Sequence, residues 1–313
     1  MRYFKWLSLI TAFFLMGCAN QGGSWSNLPL AIPLQPSIQQ EIQIARFNQL
    51  LQRKEISQEV RAQIFAERGR YLDSVGLSDL ARLDYEQSLK LNPAQSEVFN
   101  VLGVYFTQMS DFDSAFDAYD SSLELDPNND YAERNRAIAL YYADRIPLAL
   151  QDMTKNYQRD TSDPYRTLWL YYIEREQDEQ KAKADLEKRY ADRDDQWGWL
   201  LVGVTLGHVS ENDAFNSVAD NSNNNVELAQ KLTELYFYLA KTYQFQGDYT
   251  DAIALYKLSI SLNVYEFAEH RYAFLELSRI FKELQAQQNS EDQKANGEKH
   301  STIELMDNSE EES

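Results

Sequence analysis

The chain has 313 residues, with 49 acidic against 30 basic side chains, a formal charge of −19, and only 11 glycines and 7 prolines. Glycine and proline together reach about half of the roughly 12% of average usage. That is too few turn residues for the many short strands of a sandwich or barrel, so the composition points to an all-α fold of long helices and short connections; the acid excess excludes an extended basic surface, and with it nucleic acid as a partner.

Arg2 and Lys5 precede an apolar run from Leu7 that ends in Leu15-Met16-Gly17-Cys18. The run falls short of the ~20 residues that cross a bilayer, and the order basic, apolar, small is that of a secretory signal over residues 1–17. Its end resembles the bacterial lipobox, in which Cys18 becomes the first residue of the mature protein, carrying N-acyl and diacylglycerol groups. No other cofactor is expected. One acyl chain holds a protein to a membrane only marginally, whereas the three usual for such lipoproteins anchor it permanently. Ala19 stands where an Asp keeps enterobacterial lipoproteins in the inner membrane, so the expected location is the periplasmic face of the outer membrane. Cys18 is the sole cysteine, which leaves no disulfide and no thiol nucleophile. Residues 18–29, with NQGGSWSN at 20–27, read as a flexible tether.

Residues 30–61 form an N-terminal helical segment with two apolar stripes. Ile38, Ile42, Ala45 and Gln49 make one, and Ile44, Phe47 and Leu51 the other. One stripe suffices to cap the neighbouring helix pair; the second is either incidental or meets another subunit. A solenoid with a wide uncovered apolar face tends to dimerise, so a homodimer contact through Ile38, Ile42, Ile44, Phe47 and Leu51 is expected.

A period of 34 then sets in. Gly69, Ala81, Tyr85 and Pro93 recur as Gly103, Ala115, Tyr119 and Pro127, and weaker copies have Ala137, Ala149, Met153 and Pro164, then Ala240, Ala252 and Tyr256. With Phe65, Phe99 and Tyr236 four residues ahead of the small position, these are the marks of the tetratricopeptide repeat, a pair of antiparallel helices. Gly69 is expected against Ala81 and Gly103 against Ala115, with the aromatics filling the wedge beside the contact. Three repeats occupy 62–163, degenerate helix pairs 164–232 and a fourth repeat 233–266, followed by a C-terminal helix over 267–284. Trp169, Tyr171, Tyr172, Trp197 and Trp199 crowd the degenerate stretch and read as core. Residues 285–313 carry eight acids against two lysines and are expected to be a disordered acidic tail.

His208, His270 and His300 are the only histidines, and no zinc, serine-hydrolase or phosphate-loop motif is present. Glu266, Glu269 and His270 share one helix but read as structural, and the chain is not expected to be an enzyme or to hold a metal. The first helices of such repeats line a concave wall, and counting from the small residue places Arg70, Asp73, Glu97, Asn100, Thr107, Gln108, Arg134, Ile138, Tyr141 and Tyr142 there, with Lys241, Gln244 and Phe245 in the last repeat. Tyrosine, arginine and amides suit an exchangeable protein partner.

Several segments together, LAIPLQPSIQQEI at 30–42, EVFNVLGVY at 97–105, ALYYADR at 139–145, DPYRTLWLY at 163–171, QWGW at 196–199 and EHRYAFLELS at 269–278, resemble the NlpI family of bacterial lipoproteins from the lipobox to about residue 280. The resemblance implies a dimeric, outer-membrane-anchored adaptor that presents murein endopeptidases to a periplasmic C-terminal processing protease and scaffolds peptidoglycan hydrolases. Two other roles stay open on the residues alone: a subunit of an outer-membrane protein assembly machine, and a wall hydrolase.

Overall fold

Each 34-residue period folds into two helices joined by a three-residue turn, which makes them antiparallel: α1 (Ile38–Leu51) precedes the pairs α2 (Gln58–Ser74) with α3 (Ser78–Leu91), α4 (Ser96–Gln108) with α5 (Phe112–Leu125), and α6 (Asp130–Tyr142) with α7 (Ile146–Arg159). The computed structural model describes residues 28–310, so Cys18, the signal residues and the tether up to residue 27 lie outside the described residues. Four helices, α8 (Pro164–Arg175), α9 (Glu179–Ala191), α10 (Gly198–Leu206) and α11 (Glu211–Asp220), fill the degenerate stretch. The last pair is α12 (Asn225–Phe245) with α13 (Tyr249–Ser261), and α14 (Ala268–Glu310) closes the series. The fourteen elements of the described residues are all helical. None is long and apolar enough to cross a membrane.

The small position of each repeat seats an aromatic ring. A Cβ on Gly69 would stand 2.7 Å from the Tyr85 ring, and one on Gly103 would run into Tyr119. The close approach is therefore glycine to tyrosine, where the sequence suggested glycine to alanine. Side-chain oxygens start most helices, among them Ser57, Asp111, Asn129, Asp163, Asp178 and Asp248. A second 34-residue recurrence lies deeper. Ser88 Oγ donates to Ala62 O at 2.7 Å and Asn156 Nδ2 to Asp130 O at 2.9 Å, while Ser96 Oγ bonds Ser122 O at 3.0 Å, each tying the second helix to the start of the first. Ser259 repeats the bond to Thr233 O at 2.8 Å in α12–α13.

Two long-range features close the solenoid on itself. The strand-like lead into α1 crosses to the far end: Leu34 N donates to Leu262 O at 3.0 Å, and Asn225 exchanges two hydrogen bonds with the Ile32 backbone at 2.8 and 2.9 Å. α14 runs along the wall made by the first helices, with Tyr272, Ala273, Glu276 and Ile280 fully buried. Arg271 pairs with Asp73 of α2 at 2.6 Å, Tyr142 OH of α6 donates to Glu276 at 2.9 Å, and Lys241 Nζ of α12 to the same carboxylate at 2.7 Å.

Two expectations are corrected and one is refined. α14 is helical to Glu310 where a disordered tail was expected from residue 285; the stretch 268–310 has no proline, one glycine and many Glu, Gln, Lys and Ala, which favour helix over coil. α12 begins at Asn225, capped by Asn224, so eight of its residues precede the last repeat expected from residue 233. The stripes of α1 divide by burial: Ile44 packs on the repeat-1 core, the Phe47 ring lies 5.8 Å from that of Tyr71, and Leu51 is half-buried, whereas Ile38 and Ile42 are 77% and 54% exposed. Of the five, these two are the most open to a second subunit.

Candidate functional site

α14 decides what is left of the groove. Tyr141 and Tyr142, expected to be open to a partner, are 1% and 7% exposed, because α14 lies over them with Tyr272 at 5.4 Å from Tyr142 and the Arg279 guanidinium 4.8 Å above the Tyr141 ring. Ile138 is buried, and Thr107 is enclosed within its own pair, its hydroxyl on Gly103 O at 2.8 Å and near the Tyr119 hydroxyl at 3.1 Å. Lys241 is buried on Glu276. Arg70 and Glu97 are exposed and Gln108 half-buried; Arg70 pairs with its neighbour Glu67 at 2.7 Å.

At the head of α14 two adjoining depressions remain. One, of about 290 Å³, is lined by Asp73, Asn100, Tyr131, Arg134 and Arg271 among others, and the next, of about 230 Å³, by Ile138, Tyr165, Trp169, Glu234 and Glu269. Arg134, Asn135, Glu266 and Ala268 line both. Of the residues singled out in the sequence, Asp73, Asn100, Arg134 and Ile138 are thus brought together here. Asn135 Nδ2 donates to Asn100 Oδ1 at 3.0 Å, which fixes the amides on the floor between the two.

Sequence reasoning missed Glu234 and read Glu269 as structural. Glu234, on α12, accepts from Trp197 Nε1 at 2.6 Å and from Tyr165 OH at 2.8 Å. Burial, and then the neighbouring Glu269 charge, push its carboxyl up to about 8. Glu269, in the first turn of α14, accepts from Tyr238 OH at 2.8 Å, and its carboxyl is also raised by burial. Nothing local marks them: Glu234 sits in LTELYFYLA, and the two meet only because α14 folds back on α12. Trp197, expected in the core, is the half-buried donor that holds Glu234. His270 faces the rings of Tyr265 and Phe274 at 5.0 and 5.8 Å, and burial, followed by Arg271, lowers its pKa to about 4, so it is neutral at pH 7.

Residues 233–263, covering most of α12–α13, match the family model of the tetratricopeptide repeat. Among solved structures the chain is similar to a tetratricopeptide repeat protein of Parabacteroides merdae, at 15% identity over 77% of this chain and 78% of that one with a TM-score of 0.48. It is also similar to the C-terminal part of a repeat-containing protein from Cytophaga hutchinsonii, at 19% identity over 75% and 94% with a TM-score of 0.45. The third, pilF of Pseudomonas aeruginosa, has 17% identity over 68% and 96% with a TM-score of 0.41. The chain is a helical-repeat solenoid with a tetratricopeptide repeat at residues 233–263, a scaffold suited to binding other proteins.

Proposed function

We propose that this chain is a non-enzymatic adaptor, anchored through Cys18 to the periplasmic face of the outer membrane, that holds a segment of a partner protein in the groove at the head of α14. The observation that carries the reading is this groove: a repeat wall otherwise filled by the chain's own helix stays open where Arg134, Asn100, Asn135 and Tyr131 offer donors and one aromatic face. The resemblance to NlpI lipoproteins supplies the partners, murein endopeptidases and a C-terminal processing protease. A second copy, meeting Ile38 and Ile42 of α1, makes the working unit a homodimer. Two clients held on one dimer experience each other at an effective concentration of about millimolar, which speeds processing without new chemistry.

The test immobilises the unlipidated mature chain, residues 19–313, passes periplasmic extract over it and identifies what stays by mass spectrometry. A processing protease and murein hydrolases are expected on the column, and both should be depleted on an Arg134→Ala, Asn135→Ala variant that keeps its helical circular dichroism. A column that retains only barrel-assembly factors would overturn the adaptor reading in favour of an assembly-machine subunit, and muropeptides released from sacculi by the pure protein would make it a hydrolase.

A further inference from the structure

Five acidic side chains of the described residues are buried, and they divide by what neutralises them. Asp84 has Arg68 at 2.6 Å, Glu133 has Arg159 at 3.0 Å, and Glu276 has Lys241 at 2.7 Å. Glu234 and Glu269, 8% and 6% exposed, have no lysine or arginine within ion-pair distance among the described residues. Their hydrogen-bond donors are neutral: a tyrosine and a tryptophan for the first, a tyrosine and its own backbone N–H for the second. Glu269 thus has one side-chain donor for its two oxygens while lining the cavity. An isolated buried carboxylate is costly, and it takes up a proton or a cation. Both carboxylates line the same 230 Å³ cavity as the Trp169 and Tyr165 rings.

We propose that this cavity is a primary-ammonium subsite, which takes one lysine side chain or one chain-terminal amine from the segment bound in the groove. The inference rests on the adaptor reading for its source of ligand. The cavity of about 230 Å³ has the liquid volume of about eight waters, below the roughly 300–1,000 Å³ of small-molecule pockets. It has room for one side chain. Chemistry selects the head group. An ammonium has three donors and no acceptor, matches two carboxylates, and gains from aromatic faces. A hard divalent cation wants six or more oxygens, and here neutral donors already occupy carboxylate oxygens while the opposite walls are rings. Two cations act on the pair without touching it. Arg134, on the shared wall, acts on Glu269 through space, and Lys231, itself paired with Glu227 at 2.7 Å, acts on Glu234. Neither reaches hydrogen-bond distance, so the third charge is left to the ligand.

Trp197 donates directly to Glu234, which makes its indole N–H a reporter. The full chain in detergent, labelled with 15N at its five tryptophans, is titrated with N-acetyl-lysine methylamide, N-acetyl-norleucine methylamide, glycine methylamide and Mg²⁺. The lysine probe is expected to move the Trp197 peak saturably with a dissociation constant on the order of 1 mM, more tightly at pH 9 than at pH 6 because the ligand replaces a proton, and about tenfold more weakly in Glu269→Gln. Saturation by glycine methylamide alone keeps the subsite and assigns it to a chain terminus. Equal binding of the norleucine probe, a response to Mg²⁺ alone, the opposite pH trend, or no shift with any amine overturns the proposal. Partner capture on Glu234→Gln and Glu269→Gln columns separates the two ideas: undiminished capture leaves the adaptor and removes the subsite, whereas a lysine response with an empty column does the reverse.

Discussion

Glu234 and Glu276 are buried glutamates on packed helices, and their carboxyls move in opposite directions for one reason. Burial pushes Glu276 up, but Lys241 and Arg279 outweigh it and hold the group below its ordinary value. Glu234 has no such partner and rises from 4.5 to about 8. A carboxyl that binds its proton more tightly when folded stabilises the fold fully below pH 4.5, and that contribution is lost as the pH climbs toward 8. Once buried His270, whose lowered pKa makes stability rise with pH up to about 6.5, has ceased to contribute, thermal melts should show stability falling between about pH 6.5 and pH 8.5 in the wild type, with a flatter profile in Glu234→Gln. Equal slopes in the two proteins would mean the carboxylate is neutralised in some other way. Two glycines give a second residue-level contrast. Gly76 and Gly247 both hold a φ near +80°, but a Cβ on Gly247 meets nothing within 4 Å, whereas one on Gly76 stands 2.7 Å from the Tyr265 ring, which packs on His270. Gly247→Ala should cost only the left-handed strain of about 1–2 kcal/mol, and Gly76→Ala about 1 kcal/mol more for displacing the ring, read from urea unfolding.

Single helices show what the pattern of residues reveals and what it hides. The period of 34 was legible because Gly69, Tyr85 and Pro93 are close-contact and helix-stop residues that few others replace. The same period runs unnoticed through Ser88, Ser122 and Asn156, since a buried serine looks like any surface serine until its carbonyl partner is known. It also runs through Gly76, Ser110 and Asp144, all left-handed with φ of 81°, 58° and 56°. Ser110→Gly should stabilise the chain by up to about 1 kcal/mol, because the strain it relieves exceeds the entropy that glycine adds to the unfolded state; a lower urea midpoint would show that the Ser110 side chain has contacts of its own. The path of α14 was not legible. Its inner face mixes Tyr272, Glu276 and Ile280, so no local periodicity announces that it covers Tyr141 and Tyr142, and the ion pair that fastens it joins residues 35 apart. Lys241→Met leaves Glu276 without its ion-pair partner, at a cost of about 3–5 kcal/mol, while adding Glu276→Leu should recover most of it. A double variant no better than the single one would show that Tyr142 and Arg279, and not Lys241, set the demand for charge at this position.

The whole molecule holds its two ends together, and this determines which apolar surface is left over. Residues 32–34 are hydrogen-bonded to Asn225, Leu262 and Asn263, and Arg271 of α14 reaches Asp73 in the first repeat, so neither end of the solenoid presents an uncapped helix pair. α1 uses Ile44 and Phe47 in that closure and turns Ile38 and Ile42, one helical turn apart, to solvent. A stable dimer buries about 800 Å² per partner, more than two isoleucines supply, so the contact must extend beyond them to neighbouring exposed residues such as Ile32. An Ile38→Glu, Ile42→Glu variant places two desolvation-averse charges at the centre of such an interface while leaving the monomer untouched. Light scattering should then report half the wild-type mass with the unfolding free energy changed by no more than about 0.5 kcal/mol per substitution. Ile44→Ala should do the opposite, lowering stability by about 2–5 kcal/mol at the buried limit and less for a half-buried side chain, with the mass retained. If the double glutamate variant kept its dimer mass, the second copy would have to dock elsewhere, and the exposed stripe of α1 would be free for a client.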